Sequence, residues 1–170
     1  MKIISRKLSL LSAILFLNFN SAIAQNLSWQ NPLPQGNNLS SVYFPNATTG
    51  YIVGDAGTIL KTTDAGTSLT TQISGTFNGL TSVCFIGVDT GYAIGGSSTI
   101  LKTTDGGNTW VLQAGGLPLL TSVFFTNANI GYAVGGSGST GKILKTTDGG
   151  INWTIQPSGS HYFYSSVFFC

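Results

Sequence analysis

One octapeptide returns three times in this chain, and a spaced repeat restricts a fold far more than any single residue does. The copies are TTDAGTSL at 62–69, TTDGGNTW at 103–110 and TTDGGINW at 146–153, each directly preceded by Ile-Leu-Lys. Gly66, Gly107 and Gly150 supply residues that accept positive φ, and Asp64, Asp105 and Asp148 can take up loose backbone amides within the turn. The hydroxyls of Thr62, Thr103 and Thr146, two places before each Asp, can close the same network. Trp110 and Trp153 then drop a large apolar surface over it. The pattern therefore predicts a self-contained β-turn corner, less tightly covered in the first copy, where Leu69 replaces the Trp. Catalytic carboxylate pairs converge within about 5–10 Å, whereas successive repeats hold their turns apart, so these Asp residues read as structure.

The remainder of each unit is equally regular. A Ser-Val-containing strand begins it (Val42, Val83, Val123 and Val167), followed by Gly-Tyr-x-Val-Gly or a close variant at 50–54, 91–95 and 131–135. The Ile-Leu-Lys strand and the segment after the octapeptide complete it. Four short strands in about forty residues is the arithmetic of a propeller blade. The fold class is thus all-β: a β-propeller of four-stranded antiparallel blades, with three complete repeats (39–79, 80–119 and 120–163) and the start of a fourth at 164–170. Leucine-rich repeats are shorter, and neither the Gly-His nor the Trp-Asp signature of WD40 units is present. A β-sandwich gives no reason for such self-similarity. The third unit carries extra Gly and Ser at 135–141, read as an enlarged hairpin loop.

Thr-x-Asp-x-Gly-x-x-Trp resembles the Asp-box, or BNR repeat, of sialidase-type propellers. The resemblance covers Thr103, Asp105, Gly107, Thr109 and Trp110, then Thr146, Asp148, Gly150 and Trp153, and, with Leu69 in the last place, Thr62, Asp64, Gly66 and Ser68. It implies structural turns on the outside of the blades. Over 39–159 the repeats are also similar to those of the photosystem II stability and assembly factor family, including its secreted bacterial members with a C-terminal sorting domain. That resemblance implies a non-enzymatic binding or assembly role. Sialidase catalysis uses an arginine cluster to clamp a carboxylate, and the only arginine of this chain is Arg6.

Arg6 lies in a segment with its own logic. Lys2, Arg6 and Lys7 precede an apolar stretch at 8–19 and an Ala22-Ile23-Ala24 cleavage signal, so 1–24 reads as a signal peptide rather than a retained anchor. That stretch is too short to span a bilayer. Residues 25–38 read as a lone strand around Trp29 and a linker. Beyond the signal, Lys61, Lys102, Lys142 and Lys145 face Asp55, Asp64, Asp89, Asp105 and Asp148, four cations to five anions and a net charge of −1. Such a surface has no cationic track for phosphates, which excludes nucleic acid.

No catalytic residue, cofactor site or metal site emerges. His161 is the sole histidine and the chain has no glutamate, which leaves little to build a zinc site from. Cys84 occupies a slot held elsewhere by Tyr43, Phe124 and Phe168, a small core residue whose pairing with Cys170 stays open. The sequence thus points to a secreted or cell-surface propeller module for a protein or glycan ligand. The alternative is the N-terminal part of a propeller glycoside hydrolase whose catalytic residues lie beyond residue 170. In either case an open arc is expected to need further blades or self-association to cover its faces.

Overall fold

The computed structural model describes residues 36–114, 119–138, 140–159 and 162–169. The signal-peptide reading of 1–24, the strand around Trp29, His161 and Cys170 lie outside the described residues. Among the described residues twelve strands form three sheets. The first contains β1 (Leu39–Tyr43), β2 (Gly50–Gly54), β3 (Thr58–Thr62) and β4 (Thr70–Gln72). The second contains β5 (Leu80–Ile86), β6 (Thr90–Gly95), β7 (Ile100–Thr103) and β8 (Val111–Ala114). The third contains β9 (Leu120–Phe125), β10 (Gly131–Ser137), β11 (Thr140–Thr146) and β12 (Thr154–Gln156). Every sheet is an antiparallel meander in chain order, the form of a propeller blade.

The two glycines of each Gly-Tyr-x-Val-Gly strand are fixed by space. A Cβ on Gly91 would lie 2.5 Å from Phe85 Cζ, so the aromatic ring lies flat on bare backbone, and Gly50 and Gly131 receive Phe44 and Phe125 in the same way. At the strand's other end a Cβ on Gly95 would strike the Gly79 carbonyl, where the next backbone crosses. Between them, Tyr92, Ala93 and Ile94 are fully buried.

Two cores hold the blades together, each lying between neighbouring sheets. Tyr51, Val53 and Ile59 of the first blade meet Leu80, Val83, Phe85, Ala93, Leu101 and Trp110 of the second. Tyr92, Ile94 and Ile100 then meet Leu120, Val123, Phe125, Ala133 and Leu144 of the third. Full burial of such side chains stabilises by roughly 1.5–3 kcal/mol each, so contacts between repeats contribute substantially to stability. Among the described residues only the middle blade has a blade on both sides; on the first, Leu39, Val42 and Phe44 are 39%, 58% and 46% exposed.

The Gly/Ser stretch at 135–141 is not an enlarged loop. Gly135 pairs with Lys142, Gly136 with Gly141 and Ser137 with Thr140, so the added residues lengthen the β10–β11 ladder. Glycine permits this because the neighbouring chain comes within contact: a Cβ on Gly136 would meet the Thr140 carbonyl and Phe163, and one on Gly141 would meet the Tyr162 carbonyl and the Tyr164 ring.

The start of the fourth repeat lies where a fourth blade's first strand belongs. Thr121 Oγ1 donates to the Tyr164 carbonyl at 2.6 Å, as Thr81 Oγ1 does to Leu120. The Val167 amide donates to Ser122 Oγ, as the Val83 and Val123 amides do to Ser41 and Ser82. Among the described residues no second strand pairs with it, and 163–169 forms no ladder. No described helix is long and apolar enough to cross a membrane.

Candidate functional site

The three octapeptides form turns with the same hydrogen-bond pattern between the third and fourth strands of their blades. In the second, Thr103 Oγ1 donates to Asp105 Oδ1 at 2.8 Å and accepts the Gly107 amide at 2.8 Å. Asp105 Oδ1 also accepts the Thr109 amide, and Oδ2 accepts Thr109 Oγ1 at 2.6 Å. The first turn repeats this with Thr62, Asp64, Gly66 and Ser68. The third does so with Thr146, Asp148, Gly150 and Asn152, whose side-chain amide replaces the hydroxyl.

Ser68, Thr109 and Asn152 thus belong to the network as much as the Thr-Asp-Gly positions do. Their side-chain and backbone hydrogen bonds hold the carboxyls of Asp64, Asp105 and Asp148 down at about 2. At Asp148 the Asn152 backbone amide contributes most. Both oxygens of each carboxylate accept bonds from within its own turn. Among the described residues no group of three or more His, Cys, Asp or Glu side chains is placed to hold a metal ion.

The outside of the second and third turns joins the preceding blade. Tyr51 Oη and Lys61 Nζ, from the first blade, both donate to the Gly106 carbonyl at 2.6 Å. Tyr92 Oη and Lys102 Nζ, from the second, both donate to Gly149 at 2.7 Å. Each ammonium also lies 5.7 Å from the centroid of its partner tyrosine ring. Burial raises both phenols, Tyr92 to about 12, so each remains a donor. The ring is seated against glycine: a Cβ on Gly107 would be 2.7 Å from Tyr51 Cε1, and one on Gly150 equally close to Tyr92.

Trp110 and Trp153 meet this joint edge-on. Trp110 packs against both Tyr51 and Phe85, and Trp153 against Phe125. Trp153 Nε1 donates to the Gly150 carbonyl at 3.2 Å, whereas Trp110 Nε1 is buried without a partner among the described residues. The first turn lacks a preceding described blade, and its Gly66 is half-buried where Gly107 and Gly150 are buried. Tyrosine and lysine at fixed places in all three repeats were the available signal for this joint.

The opposite end of the blades carries the β2–β3 and β4–β5 connections. There the first blade has an open cavity of about 490 Å³ lined by Asn37, Thr58, Gln72, Ile73, Thr76 and Phe77 among others, with no charged side chain. Asn37 Nδ2 donates to Thr58 Oγ1 at 2.9 Å, while Ile73 and Phe77 are 87% and 94% exposed. An apolar pair of this size on a neutral polar rim is the kind of surface that a partner covers.

The profile of the photosynthesis system II assembly factor YCF48 family matches residues 21–112, more than half of the chain. The chain belongs to the YCF48 family. A solved structure described as YCF48 bound to D1 peptide superposes with a TM-score of 0.63 at 25% identity, covering 72% of this chain and 41% of that one. YCF48 from Cyanidioschyzon merolae gives 0.58 at 28% identity, covering 73% and 41%. The chain therefore spans less than half the length of these YCF48 structures. An ancestral GH74 enzyme, 22% identical with a TM-score of 0.59 over 71% of this chain and 18% of its own, shares the fold. No curated protein matches the sequence.

Proposed function

We propose that this chain is a non-enzymatic YCF48-family propeller module that binds a protein partner, taking an uncharged, apolar peptide segment at the connecting-loop end of the first blade. The observation that carries this reading is the exposed Ile73–Phe77 pair beside the uncharged cavity. The D1 peptide bound by one YCF48 relative supports a peptide in preference to a glycan. The Asp-box carboxylates are structural in this reading, since their own turns occupy both oxygens. A longer parent enzyme draws its support from the GH74 likeness, which extends to the fold alone.

A peptide-display library selected on the immobilised chain, followed by calorimetric titration of an enriched peptide, tests the proposal. Binding should fall at least tenfold in Phe77→Ser and Ile73→Ser, both exposed enough to leave the fold intact. Failure to enrich, indifference to both substitutions, or selective retention on a glycan array would overturn it.

Export through residues 1–24 and kinship with the secreted bacterial members form part of the same proposal. The mass of the protein recovered from the producing cell's envelope or medium should begin at Gln25. An N-terminus retained at Met1 would contradict it.

A further inference from the structure

Asp55 stands where the other two repeats have glycine. It opens the β2–β3 connection of the first blade, and the places that match it are Gly96 and Gly136. The backbone is held alike in all three. The amides of Asp55, Gly96 and Gly136 each donate at 2.9 Å to a carbonyl just before a blade's first strand, that of Asn38, Gly79 or Leu119. In the first two blades the Asp55 or Gly96 carbonyl then accepts a threonine hydroxyl, Thr58 or Thr99, at 2.7 Å, and an asparagine amide, Asn37 or Asn78, donates to that hydroxyl. Glycine completes the same turn with the same bonds, so the turn has no need of a carboxylate.

What the carboxylate has is a fixed place beside the cavity that takes a peptide in the reading above. The lining segments at 37, 56–57 and 76–77 lie within two residues of Asn38, Asp55 and Gly79, which meet one another. Asn38 Nδ2 donates to Asp55 Oδ2 at 2.9 Å. The other oxygen, Oδ1, lies over Gly79, 3.4 Å from where a Cβ would be, and has no hydrogen-bond partner among the described residues. Asp55 is exposed. Within 36–114 it is also the one charged side chain at this end of the blades: Lys61, Asp64, Asp89, Lys102 and Asp105 all belong to the end that carries the Asp-box turns. No lysine of the first two blades is therefore placed to neutralise it.

We propose that Asp55 sets the specificity of that site by selecting a lysine or arginine that flanks the apolar segment of the bound peptide. The inference rests on the peptide-binding reading of the cavity. The two parts of such a ligand do different work. Apolar side chains cover Ile73 and Phe77, which supplies affinity. The cationic residue meets a carboxylate already fixed by Asn38, so little ordering of the protein side is left to oppose binding. An exposed ion pair contributes little by itself, so Asp55 discriminates among apolar peptides and does not hold them alone.

Selection of a random peptide display library in parallel on the unaltered chain, Asp55→Asn and Asp55→Lys is the test. Asn keeps an acceptor for Asn38, and glycine builds the same turn elsewhere, so both variants should melt with the unaltered chain. The unaltered chain should enrich apolar peptides with an adjoining Lys or Arg. Asp55→Asn should lose that basic preference while still enriching apolar peptides, and Asp55→Lys should prefer Asp or Glu in its place. In calorimetric titration, replacing the basic residue of an enriched peptide by Gln should weaken binding to the unaltered chain about threefold. The same replacement should leave binding to Asp55→Asn unchanged, and the difference should fade towards ~1 M salt. Phe77→Ser separates the two claims. Peptides that need Phe77 yet carry the same basic content on all three proteins would overturn the role of Asp55 and leave the cavity reading standing. A library from which the unaltered chain enriches nothing would overturn both.

Discussion

Two donors converge on the Gly149 carbonyl, Tyr92 Oη and Lys102 Nζ, each at 2.7 Å. Removing one leaves the carbonyl satisfied by the other, so Tyr92→Phe should cost only the net value of one hydrogen bond, about 1 kcal/mol. Lys102→Met keeps the apolar stem and should cost a similar ~1 kcal/mol. The double variant strands a buried carbonyl and adds a desolvation penalty of about 1–3 kcal/mol. Its total loss should therefore exceed the sum of the single losses by at least ~1 kcal/mol, or a further ~4 °C in Tm for a domain of this size. Urea unfolding followed by tryptophan fluorescence reads the cycle, since Trp110 and Trp153 lie beside the joints. Additive losses would refute the shared-acceptor argument, because donors acting on separate partners do not couple in this way.

Three further outcomes follow from the geometry. The folded carboxyls of Asp64, Asp105 and Asp148 lie at about 2, below the usual carboxylate value of about 4, so their contribution is present above pH ~4 and lost as pH falls towards 2. Urea midpoints should hold from neutral pH to about 5 and then decline, less steeply in Asp105→Asn; a rise on acidification would contradict this. Gly91→Ala places a methyl 2.5 Å from Phe85 Cζ and should destabilise by about 1–3 kcal/mol, whereas Gly36→Ala, with nothing within 4 Å, should be neutral in the same melting assay. Burial pushes the Cys84 thiol up to about 12. In a Cys170→Ser background it should resist a thiol-specific disulfide reagent at pH 8 until urea unfolds the chain, and immediate native labelling would show the site to be open.

The blade architecture was legible because the chain repeats itself: three Gly-Tyr strands and three Ile-Leu-Lys strands fix strand number and order without long-range information. The joint between blades was not. Tyr51 and Lys61 meet Gly106, separated by 55 and 45 residues, and strand periodicity does not say which distant carbonyl a side chain reaches. The sequence placed each Trp over its own turn, and Trp153 Nε1 donates to the Gly150 carbonyl there; what it did not reveal is that Trp110 also packs edge-on against Tyr51 of the neighbouring blade. The stretch at 135–141 was misread because Gly and Ser favour loops. In this setting, with another segment packed closely over it, the same absence of side chains let the hairpin grow. The cavity beside Phe77 carried little sequence signal, since isolated apolar residues in a polar connection are common.

If each blade is stabilised chiefly by its neighbours, local stability should peak where both faces are covered. Residue-resolved amide hydrogen exchange tests that claim most directly. The slowest amides should be those of β6 and β7 in the middle blade, with β1 and β12 opening earlier. Equal or greater protection in β1 and β12 would show that the outer blades do not depend on their neighbours, and the account of the fold as blades joined by the Tyr-Lys contacts would fail.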